Sequence, residues 1–140
     1  MTEEKVYHGS CLCKKVKFTI QGEPMHLTIC HCRNCKVASG SAFTSNATFL
    51  RTQVTMTQGQ DSVVEYADSD TWSGNTLTRS FCSTCGSKLF IKPQMRPTAI
   101  LVHPGLIEET VTWVPKMERN DEYKWPWVKE ITTLDAKEGV

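Results

Sequence analysis

The seven cysteines of this 140-residue chain fall into three groups, and none is left over. They are Cys11-Leu12-Cys13, Cys30-His31-Cys32-Arg33-Asn34-Cys35 and Cys82-Ser83-Thr84-Cys85. The middle stretch sets three thiols within six residues, too dense for ordinary core cysteines and awkward for disulfides. It reads as three thiolates converging on one metal ion, and an all-sulfur donor set points to Zn²⁺.

The outer pairs answer each other. Cys82-x-x-Cys85-Gly86 is a metal knuckle: the two-residue spacer lets both sulfurs reach one ion. Gly86 tolerates the positive φ that turns backbone N–H groups toward them. Cys11-x-Cys13 supplies two more ligands, because a one-residue spacer on a strand points both side chains to the same face. Cys11, Cys13, Cys82 and Cys85 are thus expected to form a closed structural zinc site that joins parts of the chain about seventy residues apart.

Cys30, Cys32 and Cys35 then make a second site with three protein ligands. Tetrahedral zinc has a fourth position, and three ligands plus one exchangeable position is the pattern of catalytic zinc. The competing reading is a second structural site completed by His31, His8 or His103. His31 lies between two ligands, which turns it away from them. Two zinc ions are expected in all. Three thiolates on Zn²⁺ sum to a charge of −1, so this metal is a weaker Lewis acid than one held by neutral histidines. It suits a soft fourth ligand such as a substrate thiol, whose proton it would remove. Arg33 and Lys36 flank the site and can offset its negative charge.

The formal net charge is +1, with no basic stripe for nucleic acid and no acidic tail. The charged start, Met1 to Lys5, carries no apolar signal region, and no apolar run approaches the ~20 residues of a membrane span. A soluble intracellular protein is expected, in the cytoplasm first and the nucleus second, with neither membrane nor nucleic acid as partner. There cysteines stay reduced, and the odd count also fits a disulfide framework poorly. Asn46-Ala47-Thr48 matches a glycosylation sequon, idle in such a compartment.

The length suits a single zinc-binding domain over 1–140. Val16, Phe18 and Ile20 alternate with polar residues and predict a half-buried strand. A short strand, Leu27 to Ile29, delivers Cys30. One or two helical turns are expected from Arg33 to Ser39, stopped at Gly40. Further short strands are expected at 42–44, 47–50, 54–57, 63–66, 77–81, 89–91 and 98–102. No segment sustains a 3.6-residue period, so the fold class is all-β, antiparallel, with little helix. The tail from Glu118 is charged and carries Trp125-Pro126-Trp127, and its last residues are expected to fray.

Several of these residues occur in one pattern. Gly9-Ser10-Cys11-Leu12-Cys13, Cys30-His31-Cys32-x-x-Cys35, Ser39-Gly40-Ser41-Ala42-Phe43 and Arg79-Ser80-Phe81-Cys82-x-x-Cys85-Gly86-Ser87 together resemble the glutathione-dependent formaldehyde-activating enzymes. Centromere protein V belongs to the same family. The matches run from about residue 8 to 91, with Gly105-Leu106-Ile107-Glu108 as a weaker feature near 110. The resemblance implies a β-tent fold of small antiparallel sheets around zinc. It implies structural zinc at Cys11, Cys13, Cys82 and Cys85, and catalytic zinc at Cys30, Cys32 and Cys35. It also implies a carbon–sulfur lyase that joins glutathione and formaldehyde reversibly into S-hydroxymethylglutathione. The alternative is a zinc-stabilised binding module with a protein or chromatin partner. A reductase of the methionine-sulfoxide type fits less well, because the four-plus-three division leaves no free thiol. Phe43 and Trp72 are candidates for either core or pocket.

Overall fold

Turn-forming residues cut the chain into short strands, each too brief to be stable alone. The structure is a computed structural model that describes residues 4–131. Its elements in chain order are β1 (Val6–Ser10), β2 (Lys17–Gln21), β3 (His26–Cys30), helix α1 (Arg33–Ser39), β4 (Thr44–Leu50), β5 (Val54–Gln58), β6 (Val63–Asp68), β7 (Leu77–Cys82), β8 (Lys88–Pro93), β9 (Ala99–Val102) and β10 (Met117–Arg119). The fold is all-β with one short α-helix among the described residues, as the periodicity predicts. The expected fraying falls at the far end of the tail, where 132–140 lie outside the described residues.

Two sheets form. The smaller has the order β1-β2-β5; the larger runs β10-β3-β4-β9-β8-β7-β6. Among the described residues every strand pairing is antiparallel except one: β10 lies parallel to β3, with Arg119 opposite Cys30. That pairing departs from the antiparallel expectation. It needs the long connection that parallel strands require, and most of the chain lies between the two.

The alternating residues of β2 face a shared core. Val16, Phe18 and Ile20 are buried there with Phe49, Leu89, Phe90, Ile100 and Val102. Phe18 and Phe90 meet edge-to-face at 5.0 Å, joining the two sheets. Each such side chain contributes about 1.5–3 kcal/mol when fully buried. Cys11 and Cys82 belong to the same core, so the first thiol cluster closes one end of it. Gly9 is required by a close approach: a Cβ there would stand 2.1 Å from the Phe18 ring.

Strand β7 carries an irregularity that matters for the site. Arg79 pairs with Ile91, but Phe81 pairs with Lys88, so the register shifts between them. The Ser80 hydroxyl takes up the slack, accepting from the Phe90 N–H at 3.1 Å. Such bulges re-aim neighbouring side chains. No helix among the described residues is long and apolar enough to cross a membrane.

Candidate functional site

Cys11 follows directly on β1, and its backbone closes a turn. The Cys11 N–H donates to the Val16 carbonyl at 3.1 Å, and the Lys14 N–H donates to the Cys11 carbonyl at 3.1 Å. Lys14 takes a left-handed φ of 69°. Cys11 and Cys13 therefore converge through a turn and not through strand alternation, which corrects the strand geometry expected for them. Strand β7 ends on Cys82, and Gly86, at φ 75°, sends its N–H to the Cys82 carbonyl at 2.8 Å. The Ser87 hydroxyl stands 3.1 Å from the Cys85 sulfur and accepts from the Leu12 N–H at 3.0 Å, tying the two turns together. Hydrogen bonds from the Ser87 side chain and backbone hold the Cys85 thiol down to about 5.

The four sulfurs lie within 4.8 Å of one another, with Cys11–Cys13 at 3.6 Å and Cys13–Cys82 at 3.8 Å. Zinc–sulfur bonds of about 2.3 Å in a tetrahedron set the sulfurs about 3.8 Å apart. The donor set and its spacing fit that ion.

The second cluster is assembled by β3, the N-terminus of α1 and a contact from the far end of the chain. Strand β3 delivers Cys30. Cys32 is the extended N-cap of α1, and its sulfur accepts from the Cys35 N–H at 3.4 Å. The helix ends at Gly40, in the left-handed conformation at φ 63°. The three sulfurs are buried and lie within 4.8 Å of one another. Asn120, just past β10, donates its Nδ2 to the Cys30 sulfur at 3.4 Å. Hydrogen bonds from Cys32 and Cys35, then from Asn120, drive the Cys30 thiol far below its usual range; Cys30 and Cys32, with burial, push Cys35 up.

Among the described residues no other cysteine, histidine or carboxylate joins these three thiols. His31 is fully buried with Nε2 2.8 Å from a Glu118 carboxylate oxygen, turned from the thiols as its place between two ligands predicts. His8 is held by Glu109 at 2.6 Å, and His103 Nδ1 stands 3.3 Å from the Ser45 carbonyl. Lys36 does not face the thiols: it donates to the Tyr123 carbonyl at 2.7 Å and sits 4.1 Å over the Trp125 ring.

A cavity of about 460 Å³ opens beside the three thiols. Arg33, Arg119 and Asp70 line it and are exposed to solvent. Trp72 and Tyr123 line it too, Trp72 with 70% of its surface exposed, so it belongs to the pocket and not to the core. Phe43 instead packs near His31 at 5.7 Å between ring centroids. The sheet side of the cavity is formed by Thr28, Asn46, Leu101, Ile91 and Arg79. Asn46 is 3% exposed, which excludes it from glycosylation in the folded chain.

Arg119, Asn120 and Asn46 are residues that sequence reasoning missed. For Asn46 a signal existed: Thr44 and Asn46 sit on one face of β4, opposite Cys30 and Thr28. For Arg119 and Asn120 none did, because a three-residue strand has no readable period.

Comparison with known proteins bears on the family and the fold. The sequence model of the family described as glutathione-dependent formaldehyde-activating enzyme matches residues 6–122, past the 8–110 span read from the motifs. An uncharacterized lyase of Schizosaccharomyces pombe is 32% identical over 84 residues, covering 60% of this chain. The matched stretch spans 56% of the length of that relative. A crystal structure of a Rhodobacter sphaeroides protein superposes with a TM-score of 0.59 at 19% identity, over 75% of this chain and 91% of that one. On the strength of the match across residues 6–122, this chain belongs to the glutathione-dependent formaldehyde-activating enzyme family.

Proposed function

We propose that the protein is a zinc-dependent carbon–sulfur lyase that makes and breaks the adduct of glutathione with formaldehyde, S-hydroxymethylglutathione. One observation carries the reading: a cavity of small-molecule size lies against three converging thiols that no fourth protein ligand closes among the described residues. In this reading Cys11, Cys13, Cys82 and Cys85 hold a structural zinc, and Cys30, Cys32 and Cys35 hold a catalytic one. Bound there, zinc supplies an open position that favours a substrate thiol in its ionised form.

The remaining work falls to the chain. Asn120 and the Cys35 N–H donate to the sulfurs of Cys30 and Cys32, supporting negative charge on them. The cavity mouth offers two cations, Arg33 and Arg119, and one anion, Asp70. Glutathione offers two carboxylates and one ammonium, the complementary set. Holding thiol and aldehyde side by side turns a bimolecular encounter into an effectively intramolecular step.

The test uses metal-replete protein. Glutathione is expected to bind wild type and to bind Cys32→Ser far more weakly. Glutathione and formaldehyde combine without help, so product yield decides nothing; exchange spectroscopy at pH 7 follows the approach to equilibrium. A catalyst at sub-stoichiometric concentration speeds both directions and leaves the equilibrium constant alone. Unchanged exchange together with absent glutathione binding would overturn the lyase and favour a zinc-stabilised binding module.

A further inference from the structure

Two buried polar groups on the sheet wall of the cavity are incompletely satisfied. Arg79 is 8% exposed and Asn46 is 3% exposed. Arg79 spends its Nε on Asp68 Oδ2 at 2.9 Å, while its Nη2 has no partner. Asn46 gives its Nδ2 to the Thr44 hydroxyl at a long 3.4 Å, while its Oδ1 has none. If the amide is turned over, Thr44 can satisfy the oxygen and the nitrogen is orphaned instead, so one amide atom is left in either case. Leaving such groups unpaired costs about 1–3 kcal/mol each. A fold that keeps two of them beside one cavity is keeping them for something that enters it.

Both residues are linked to the thiols. Asp68, which holds Arg79, also accepts from Asn34 Nδ2 at 3.0 Å, and Asn34 precedes Cys35 on α1. Thr44, which neighbours Asn46, stands opposite Cys30 where β3 and β4 pair. Both residues thus adjoin the elements that carry the thiols, α1 through Asp68 and Asn34, and β3 through the pairing of β4. The Asp68 carboxylate already balances the Arg79 charge, so the spare Nη2 is a fixed donor rather than a mobile counter-ion. Across the sheet, Arg79 pairs with Ile91, and Ile91 with Leu101. Ile91 and Leu101 line the same cavity, and an apolar lining strengthens hydrogen bonds made there.

We propose that Arg79 and Asn46 form the binding site for the aldehyde oxygen. This rests on the lyase reading. As the substrate thiolate forms its bond to the carbonyl carbon, the π pair moves onto the oxygen. The Arg79 Nη2–H donates to that developing alkoxide. The oxygen then takes up one proton from solvent, balancing the one released when the thiol ionised, and the resulting hydroxyl donates to Asn46 Oδ1. Cleavage runs the same steps backward, and nothing is oxidised or reduced. Arg79 and Asn46 are then groups that distinguish the adduct from the bare thiol.

Two variants test this in metal-replete protein. Arg79→Lys keeps a cation for Asp68 but has no second planar nitrogen. Asn46→Leu keeps the branched shape and removes both amide atoms. Binding is measured by calorimetry with glutathione alone and with glutathione pre-equilibrated with formaldehyde, against a formaldehyde-only control. Both variants are expected to bind glutathione alone as wild type does. Each is expected to lose the wild-type preference for the adduct, about five- to ten-fold per hydrogen bond. Exchange is expected to slow about 10²-fold in Arg79→Lys, the usual effect of removing one donor to an oxyanion. Wild-type adduct preference in both variants would overturn the assignment. So would an equal loss of glutathione and adduct binding, which would mark the residues as structural. Should Arg79→Lys fail to fold, Asn46→Leu alone decides. If wild type itself neither binds glutathione nor speeds exchange, the lyase reading falls and this inference falls with it.

Discussion

Charge at the cavity mouth and sulfur chemistry at its floor belong to different residues, so single substitutions separate them. Arg33 and Arg119 are exposed, and an exposed ion pair contributes about 0.2–1 kcal/mol. Replacing either with Glu should weaken glutathione binding about two- to five-fold and make it less sensitive to salt. Binding of 2-mercaptoethanol, a thiol without charge, should not change. Equal weakening of both thiols would remove the arginines from carboxylate recognition. The same scale shows what residue types alone reveal. Cysteine spacing gave both clusters because a metal site needs soft donors close together, and few other needs place them so. Asn46, Arg119 and Asn120 carry no such mark. An amide or a guanidinium is common on any surface, and only the register of β4 and the docking of β10 bring these to the thiols.

Elements differ in how far local sequence determines them. Helix α1 was legible because its stop is a glycine in left-handed conformation and its start is read from the thiol motif. Strand β2 was legible through alternation over a buried face. Strand β10 was not, because its position depends on partners far away in the chain. The Arg119 carbonyl accepts from the His31 N–H at 3.1 Å, and the His31 ring reaches Glu118, 87 positions on. His31→Phe should remove one of the contacts of the buried Glu118 carboxylate, which also meets Lys124 and the Ile131 N–H, and cost about 1–3 kcal/mol, measured from the denaturant midpoint. Faster hydrogen exchange at 118–120 should accompany it, and unchanged protection there would separate β10 from the histidine. A second tie involves Glu23. The Glu23 carboxylate accepts from the Tyr7 hydroxyl at 2.7 Å and from Trp113 Nε1 at 2.8 Å, and these bonds hold its pKa below the usual range. Burial and the same carboxylate push Tyr7 up to about 12. A depressed carboxyl stabilises the fold above its unfolded pKa of about 4.3, and the gain is lost as pH falls through the folded value. Glu23→Gln should therefore flatten the acid limb of stability below about pH 4.3 relative to wild type. Parallel acid limbs in the two proteins would show that Glu23 contributes nothing there.

At the scale of the whole molecule the two thiol clusters stand in different relations to the fold, and this predicts different consequences of losing each. The four-thiol cluster joins the end of β1 to the β7–β8 turn, and two of its cysteines are part of the core shared by both sheets. Without its ion, four thiols would remain crowded where no hydrophobic replacement exists. The three-thiol cluster is a separate group beside the cavity, and β3, α1 and β4 meet there through their own backbone and packing. Structural zinc supplies an apparent binding energy of about 10–16 kcal/mol, comparable with the whole stability of a domain. Cys82→Ser should therefore unfold the protein or lower its melting temperature drastically, with loss of metal. Cys32→Ser should leave a folded protein that has lost only one of two ions. Chelation should follow the same order. An ion held beside the cavity would have an exchangeable position and should leave first, with little change in far-ultraviolet circular dichroism. The second should leave only with the fold. Freed thiolates become oxidisable, so the number of fast-reacting thiols should rise in two steps, from few in the metal-replete protein, to three more, to all seven. Metal content, thiol titration and circular dichroism on the same chelated samples check the sequence of events. A single step in which both ions and the fold disappear together would join the clusters into one structural unit. That result would remove the basis for treating Cys30, Cys32 and Cys35 as the working site.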